Sequence, residues 1–292
     1  MNLHSIDSAV CKKCGLCIKV CPNKMLATAS DGTATFIPGR IQLCMSCGQC
    51  MAVCNAKAVT IPGLSYEENI FESGEQTVDI EKLSHFMATR RSVRNFSDKP
   101  VPDDVLHKLL QSIEYAPYGS EHNGICVTVV RDRQKIAQAL PIMSEFYRWL
   151  YKMLTGRMTR FFMKRKMSPE LFNTLDKHLK PRLDVNHYDT SDGTDHITRN
   201  APCVLIFHAP KDTPEHSQDG MIYVTYAALA AHALGLGACI NGLVGAAVNK
   251  RDELRQIFDI PPENEVVISL LLGYPAVKIK KGIRHKNVKV LQ

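Results

Sequence analysis

The sequence lacks the marks of most special classes of protein. Its first residues, Met1-Asn2-Leu3-His4-Ser5-Ile6-Asp7, hold no basic run followed by an apolar stretch, so no secretory leader is read there. Charge of one sign is not concentrated. The 36 Lys and Arg against 29 Asp and Glu leave a formal +7, too mild to point to nucleic acid. With 45% apolar and 22% charged residues, neither a disordered chain nor a collagen-like repeat fits. The length of 292 residues suits one or two domains with a real core. The 11 histidines show no paired zinc-protease spacing. No dinucleotide fingerprint is present either, because Gly235-Leu236-Gly237 ends a helical run, whereas that motif ends a strand. Met221 to Asn249 lacks Asp, Glu, Lys and Arg altogether and is long enough to span a bilayer. His232, Asn241, Gly235, Gly237, Gly242 and Gly245 interrupt it. The pattern predicts a helix of about a dozen residues, a loop and a second helix start rather than a membrane span. The expectation is a cytoplasmic protein that binds neither membrane nor nucleic acid.

What is abundant is cysteine. Eight of the 11 lie in two short windows, and clustered cysteines mean metal where scattered ones would suggest disulfides. The first window is Cys11-x-x-Cys14-x-x-Cys17-x-x-x-Cys21-Pro22; the second is Cys44-x-x-Cys47-x-x-Cys50-x-x-x-Cys54. They resemble each other as an internal repeat, and both resemble the bacterial ferredoxin pattern. Three thiolates at i, i+3 and i+6 wrap one cubane, and the fourth points away to the other. The expectation is two [4Fe–4S] clusters, one on Cys11, Cys14, Cys17 and Cys54, the other on Cys44, Cys47, Cys50 and Cys21. Gly15, Gly48 and Ser46 are small where backbone must approach the sulfides, and Pro22 turns the chain. Asn55 stands where the second window would carry a proline, and Asn also tolerates a turn. Eight cysteines would also serve two zinc sites, but this spacing is not that of a zinc ribbon or finger. Residues 1–62 are read as the ferredoxin domain. Residues 63–79, acidic and turn-rich, read as a linker or a strap lying on the next domain.

Residues 80–292 carry a second set of motifs. Ile80 to Thr89 is a short helical run, followed by Arg90-Arg91-Ser92-Val93-Arg94-Asn95-Phe96 and Lys99-Pro100-Val101. A helix from Asp103 to Ala116 leads into Pro117-Tyr118-Gly119-Ser120. Leu234-Gly235-Leu236-Gly237-Ala238-Cys239, then Leu272-Gly273-Tyr274-Pro275, and finally Arg284 close the series. In this order the motifs resemble the nitroreductase family of FMN enzymes. The resemblance implies an α+β fold, FMN, and a homodimer with FMN at the subunit interface.

A flavin phosphate calls for fixed cations. Arg90, Ser92, Arg94 and Arg284 can form a clamp, with Arg91 in the same motif. A solvated basic helix end is the plainer reading. Pro117, Tyr118 and Gly119 can line one face of the ring. Gly235, Leu236 and Gly237 can bring backbone N–H groups toward N5 and O4, although the same glycines would suit a helix C-cap turn. After Ser120 the family has Asn, a variable residue and Gln-Pro-Trp, where this chain has Glu121-His122-Asn123-Gly124-Ile125. Asn123 can still offer an amide, and which of Glu121, His122 and Asn123 points inward stays open.

Residues 142–198 read as a helical insertion whose aromatics and methionines recur at helical spacing. A lid over the flavin and a dimer contact are both open for it. Lys164-Arg165-Lys166 reads as a solvated face. Cys126 and Cys203 fall in the strand-like runs Ile125–Val130 and Val204–His208 and read as buried small hydrophobes; Cys239 lies in the glycine loop. The expected function is an oxidoreductase that takes electrons from a low-potential donor, reduced ferredoxin or NAD(P)H, through the clusters to FMN. FMN then reduces a flat, electron-poor molecule such as a nitroaromatic or quinone. No acid or base residue is assigned. Two other readings stay open: an electron-transfer module without substrate chemistry of its own, and another flavin reaction such as reductive dehalogenation.

Overall fold

A computed structural model describes residues 3–75, 77–119, 124–186, 194–284 and 289–291. The chain divides between Asp79 and Ile80 into two compact units.

The first unit holds β1 (Ser5–Ile6), α1 (Leu16–Val20), β2 (Leu26–Thr28), β3 (Ala34–Phe36), α2 (Gln49–Ala52) and β4 (Val59–Thr60). β1 pairs antiparallel with β4, and β2 with β3. Helices of five and four residues do not stand alone in water. They are held by a small core of Cys17, Met25, Leu26, Met51, Val59 and Ile61. The repeat read from the cysteines extends to the backbone. Each cysteine of the second window follows its counterpart by 33 residues (44 − 11 = 33). At the same offset Lys13 and Ser46, Gly15 and Gly48, and Lys24 and Lys57 all adopt positive φ. Left-handed Lys and Ser are disfavoured by their Cβ, so both halves bend the chain against local preference to aim their sulfurs. Leu64, Tyr66 and Ile70 pack on this core. The start of the 63–79 segment is therefore part of the first unit.

The second unit is built on a four-stranded antiparallel sheet, β5 (Cys126–Val130), β6 (Cys203–Pro210), β7 (Gly237–Asn241) and β8 (Asn264–Gly273), in the order β5-β6-β8-β7. Its helices are α3 (Ile80–Thr89), α4 (Asp103–Ile113), α5 (Arg133–Thr155), α6 (Arg157–Lys166), α7 (Pro169–Thr174), α8 (Lys180–Asn186), α9 (His216–Ala233), α10 (Gly242–Val248) and α11 (Asp252–Ile257). The arrangement is α+β. Side chains alternate across each strand. Cys203, Leu205 and Phe207 of β6 meet α4 and α9 on one face. Val204 and Ile206 meet α5, α10 and α11 on the other. Because both faces are covered, β6 reads as one continuous apolar run.

Three sequence expectations change. The charge-free stretch is helix, strand, helix rather than helix, loop, helix, because Gly237–Asn241 pairs with β8. Cys126 is exposed, since it opens β5 at the sheet edge, while Cys203 and Cys239 are buried. The helical segment read from residue 142 begins earlier, at Arg133, where the Asp132 side chain accepts from the Gln134 N–H at 2.7 Å. Among the described residues no helix is long and apolar enough to cross a membrane.

Candidate functional site

In the first unit, Cys11, Cys14, Cys17 and Cys54 line a cavity of about 210 Å³. Cys21, Cys44, Cys47 and Cys50 line a second of about 30 Å³. Each set takes three sulfurs from one window and the fourth from the other. Cys21 Sγ accepts the Met25 N–H at 3.4 Å, and Cys54 Sγ accepts the Ala58 N–H at 3.3 Å, again related by the repeat. Such bonds stabilise thiolates and tune cluster potentials. Burial, then the neighbouring Cys47, Cys44 and Cys21, pushes the Cys50 thiol up to about 12. Burial raises Cys17 too, with Cys54, Cys11 and Cys14 adding to it. Crowded sulfurs of this kind become thiolates together only around a strongly cationic centre. Among the described residues no three metal-ligating side chains converge on one ion-sized point. Around the larger cavity the sulfurs surround a volume, which suits an iron–sulfur cluster better than a lone zinc with bonds of about 2.3 Å. One cysteine of each set, Cys14 and Cys47, is exposed. Tyr66 had no signal in the sequence. Its hydroxyl accepts the Val59 N–H at 3.4 Å and is pushed up to about 12 by burial, with Cys54 and Cys50 adding.

In the second unit, α9 ends in a turn that shapes a cleft. Gly235 takes φ 73°, the Leu236 N–H donates to Ala231 O at 2.8 Å, and the Gly235 N–H donates to His232 O at 3.2 Å. This is a Schellman cap, and only a residue without Cβ adopts that φ freely. Beside it, residues 92–97 run from the edge of β7 past the end of β8. The Val93 N–H donates to Ala238 O at 2.9 Å, and the Ser97 N–H donates to Tyr274 O at 2.8 Å. The resulting cleft of about 420 Å³ has apolar walls in Val93, Ala228, Leu236 and Pro275. Arg90, Arg91 and Lys278 supply its positive charge.

Of the residues expected at a flavin, Arg90, Arg91, Gly235 and Leu236 share this cleft. Arg284 follows Ile283, whose carbonyl oxygen lies 3.5 Å from Arg91 Nη1. Ser92 forms a backbone bridge with Ala238, and Arg94 turns its guanidinium to the Ser92 carbonyl at 3.3 Å. Gly237 packs under Val93 rather than into the cleft. Pro117, Tyr118 and Gly119 lie elsewhere: the Gly119 N–H is bound by Asp219, in the first turn of α9. Gly235 comes 235 − 219 = 16 residues later, at the far end of that helix. Glu121, His122 and Asn123 fall outside the described residues. His232 and Lys278 join the cleft without having been singled out as binding residues. The Thr89 hydroxyl meets His232 Nε2 at 3.1 Å, and burial, then the Arg90 charge, holds its pKa below the ordinary value. Donors of this kind beside apolar walls suit a group with an anionic tail and a flat ring, so the residues present fit a flavin mononucleotide.

An α+β unit with a basic, apolar-walled cleft, joined to a unit with two sulfur-lined cavities, defines an oxidoreductase. The nitroreductase family model matches residues 87–274, and a 4Fe-4S dicluster domain model matches residues 3–55. The chain belongs to the nitroreductase family and carries an N-terminal iron–sulfur domain. No curated protein matches it. A nitroreductase with bound FMN from Bacteroides fragilis is 21% identical, over 72% of this chain and 99% of that one, with a TM-score of 0.51. A nitroreductase with bound FMN from Desulfitobacterium hafniense is 19% identical, over 72% and 97%, with a TM-score of 0.51. An iodotyrosine deiodinase bound to FMN and 3-iodo-L-tyrosine is 20% identical, over 72% and 98%, with a TM-score of 0.52. At such identities the likeness shows the fold, and it does not favour dehalogenation here.

Proposed function

We propose that this protein is an FMN-dependent oxidoreductase that carries electrons from a low-potential donor, reduced ferredoxin or NAD(P)H, through two [4Fe–4S] clusters to the flavin cleft. There an electron-poor small molecule, a nitroaromatic or a quinone, is reduced. The observation that carries this reading is the crossed grouping of eight cysteines into two sets of four, in one chain with the basic cleft. FMN, when bound, links the one-electron chemistry of the clusters to two-electron reduction of substrate.

The chain's own residues have distinct tasks. Arg90 and Arg91, with Lys278, hold the phosphate as a cationic clamp. Val93, Leu236 and Pro275 keep water from the ring. The 14 steps of helix from Asp219 to Ala233 (233 − 219 = 14) rise about 21 Å, which puts the 117–119 segment and the 235–237 loop of one chain at opposite ends of α9. This separation supports a homodimer in which each site takes the loop from one copy and the 117–119 segment from the other.

Anaerobic iron, sulfide and flavin analysis of the purified protein tests the reading. The expected content is eight iron atoms, four for each cubane, and one FMN per chain. Cys21→Ser should lower iron by half and leave the set of Cys11, Cys14, Cys17 and Cys54 loaded. Zinc in place of iron, or protein purified with full iron and no flavin affinity, would refute it.

A further inference from the structure

On the face of the sheet opposite α9, the helices α5 to α8 and α10 line a cleft of about 930 Å³. That size is typical of small-molecule sites. Its walls are soft and apolar: Trp149 and Met153 of α5, Met163 of α6, Met167, Leu175 and Leu179. Methionine and leucine adapt to an irregular apolar body. Leu175, His178 and Leu179 belong to a five-residue π-helical turn, Leu175–Leu179, between α7 and α8. Such turns cluster at functional sites.

The other end of the cleft is cationic. β6 and β8 run out together there, with Ala209 opposite Glu265, and the Lys211 N–H donates to Glu263 O at 3.2 Å. Asn249 fixes the end of α10 to the same strand, donating to Val266 O at 2.7 Å and accepting the Val266 N–H at 2.9 Å. Lys211, Lys250 and Glu265 therefore gather at one end. Arg182, Lys211, Lys250 and Arg255 against Glu265 give 4 − 1 = +3 over the cleft, counting Lys, Arg, Asp and Glu alone. Arg255 is committed, donating to Asn264 O at 2.7 Å and Asn249 Oδ1 at 3.2 Å. Glu265 faces His216 at 3.6 Å. The Lys211 and Lys250 ammonium groups make no hydrogen bond or ion pair with another described residue. Net positive charge at the end of an apolar cleft is complementary to one kind of ligand.

We propose that this cleft binds an amphipathic carboxylate, with its apolar body among Met153, Met163, Leu175 and Leu179 and its head on Lys211 and Lys250. The site shares no residue with the cleft of Arg90 and Gly235, so it stands whether or not the flavin reading does.

Trp149 is the one tryptophan of the chain, and its emission reports this cleft directly. The holoprotein is titrated with dodecanoate below its micelle concentration, by Trp149 emission and by calorimetry. Saturable binding is expected, at least tenfold tighter than that of methyl dodecanoate. Lys211 and Lys250 are both exposed, so Lys211→Ala with Lys250→Ala should leave the fold intact and weaken binding by about ten- to a hundredfold, as loss of charge-assisted bonds implies. Met163→Asp should abolish it while flavin content stays. Absence of saturation by both methods, equal affinity for the methyl ester, or an unchanged affinity in the lysine pair variant would overturn the proposal. So would a self-association that buries Trp149 and that dodecanoate does not displace, which would assign the cleft to a second copy.

Discussion

The Asp219 carboxylate accepts the Gly119 backbone N–H with both oxygens, at 2.9 and 3.0 Å. Asp219 is buried in the first turn of α9, where the helix dipole favours a negative charge. The bond anchors the Pro117–Gly119 segment to the helix. Asp219→Ala would leave a part-buried N–H unpaired and should cost about 1–3 kcal/mol. Asp219→Asn keeps an acceptor oxygen and should cost less. Urea unfolding of the holoprotein, followed by circular dichroism, measures both, and an alanine variant as stable as wild type would contradict the assignment.

Gly237 and Gly242 should answer the same substitution in opposite ways. A Cβ on Gly237 would lie 2.8 Å from three side-chain carbons of Val93, which its own backbone bond to Ala238 holds in place. Gly237→Ala should cost about 1–3 kcal/mol as overpacking and weaken flavin retention by displacing Arg90 and Arg91. A Cβ on Gly242 would meet only Ile268 Cδ1, at 4.0 Å. Gly242→Ala, at the start of α10, should be neutral or gain up to about 1 kcal/mol. Thermal melts and bound-flavin absorbance distinguish the two.

His208 makes stability fall in mild acid. The Asn264 amide Nδ2 meets its Nδ1 at 2.6 Å, which assigns Nδ1 as acceptor and Nε2–H as donor to the Thr128 hydroxyl at 3.0 Å. Burial, then the Arg255 charge, holds its pKa below the unfolded value of 6.5. The unfolded chain therefore takes up the proton first as pH falls. The stability from a neutral His208 is complete above pH 6.5 and declines below it, by at most about 1.4 kcal/mol per pH unit. Denaturation midpoints between pH 7.5 and 5.5 should show the decline, and His208→Gln should reduce its slope. An equal slope in the variant would assign the acid sensitivity to other groups.

The two arginines in the cleft proposed for flavin should matter more than their neighbour. Arg90→Ala and Arg91→Ala each remove a cation from the cleft wall, and each should raise the FMN dissociation constant about ten- to a hundredfold. Arg94 instead meets the Ser92 carbonyl, and Arg94→Ala should have a smaller effect. Flavin titration of deflavinated protein gives the constants, and an Arg94 effect larger than both others would reverse the assignment.

Part of this structure was legible from the residues. The grouping of eight cysteines around two cavities was, because the spacing within each window keeps three sulfurs on one short stretch of chain. α3, the start of α4, and strands β5 and β6 followed from period and start signals. β7 did not, because five residues beginning with Gly carry too little pattern to tell strand from loop. Cys126 read as buried because its run is apolar, and only the sheet order reveals that β5 is an edge. His232 stood in view as a lone polar residue in an uncharged stretch. Its place beside Thr89 depends on a contact across 143 positions, which no local pattern encodes. The same holds for Lys278 and for the separation of Gly119 from Gly235 by the length of α9.

Cys14 and Cys47, one from each sulfur set, reach solvent at matching places in the repeat. A cluster bound by either set would be uncovered at that corner. A docking electron carrier would reach it there, and so would dioxygen. Handling the loaded protein in air should therefore bleach it from the outside inward, starting at these two thiolates.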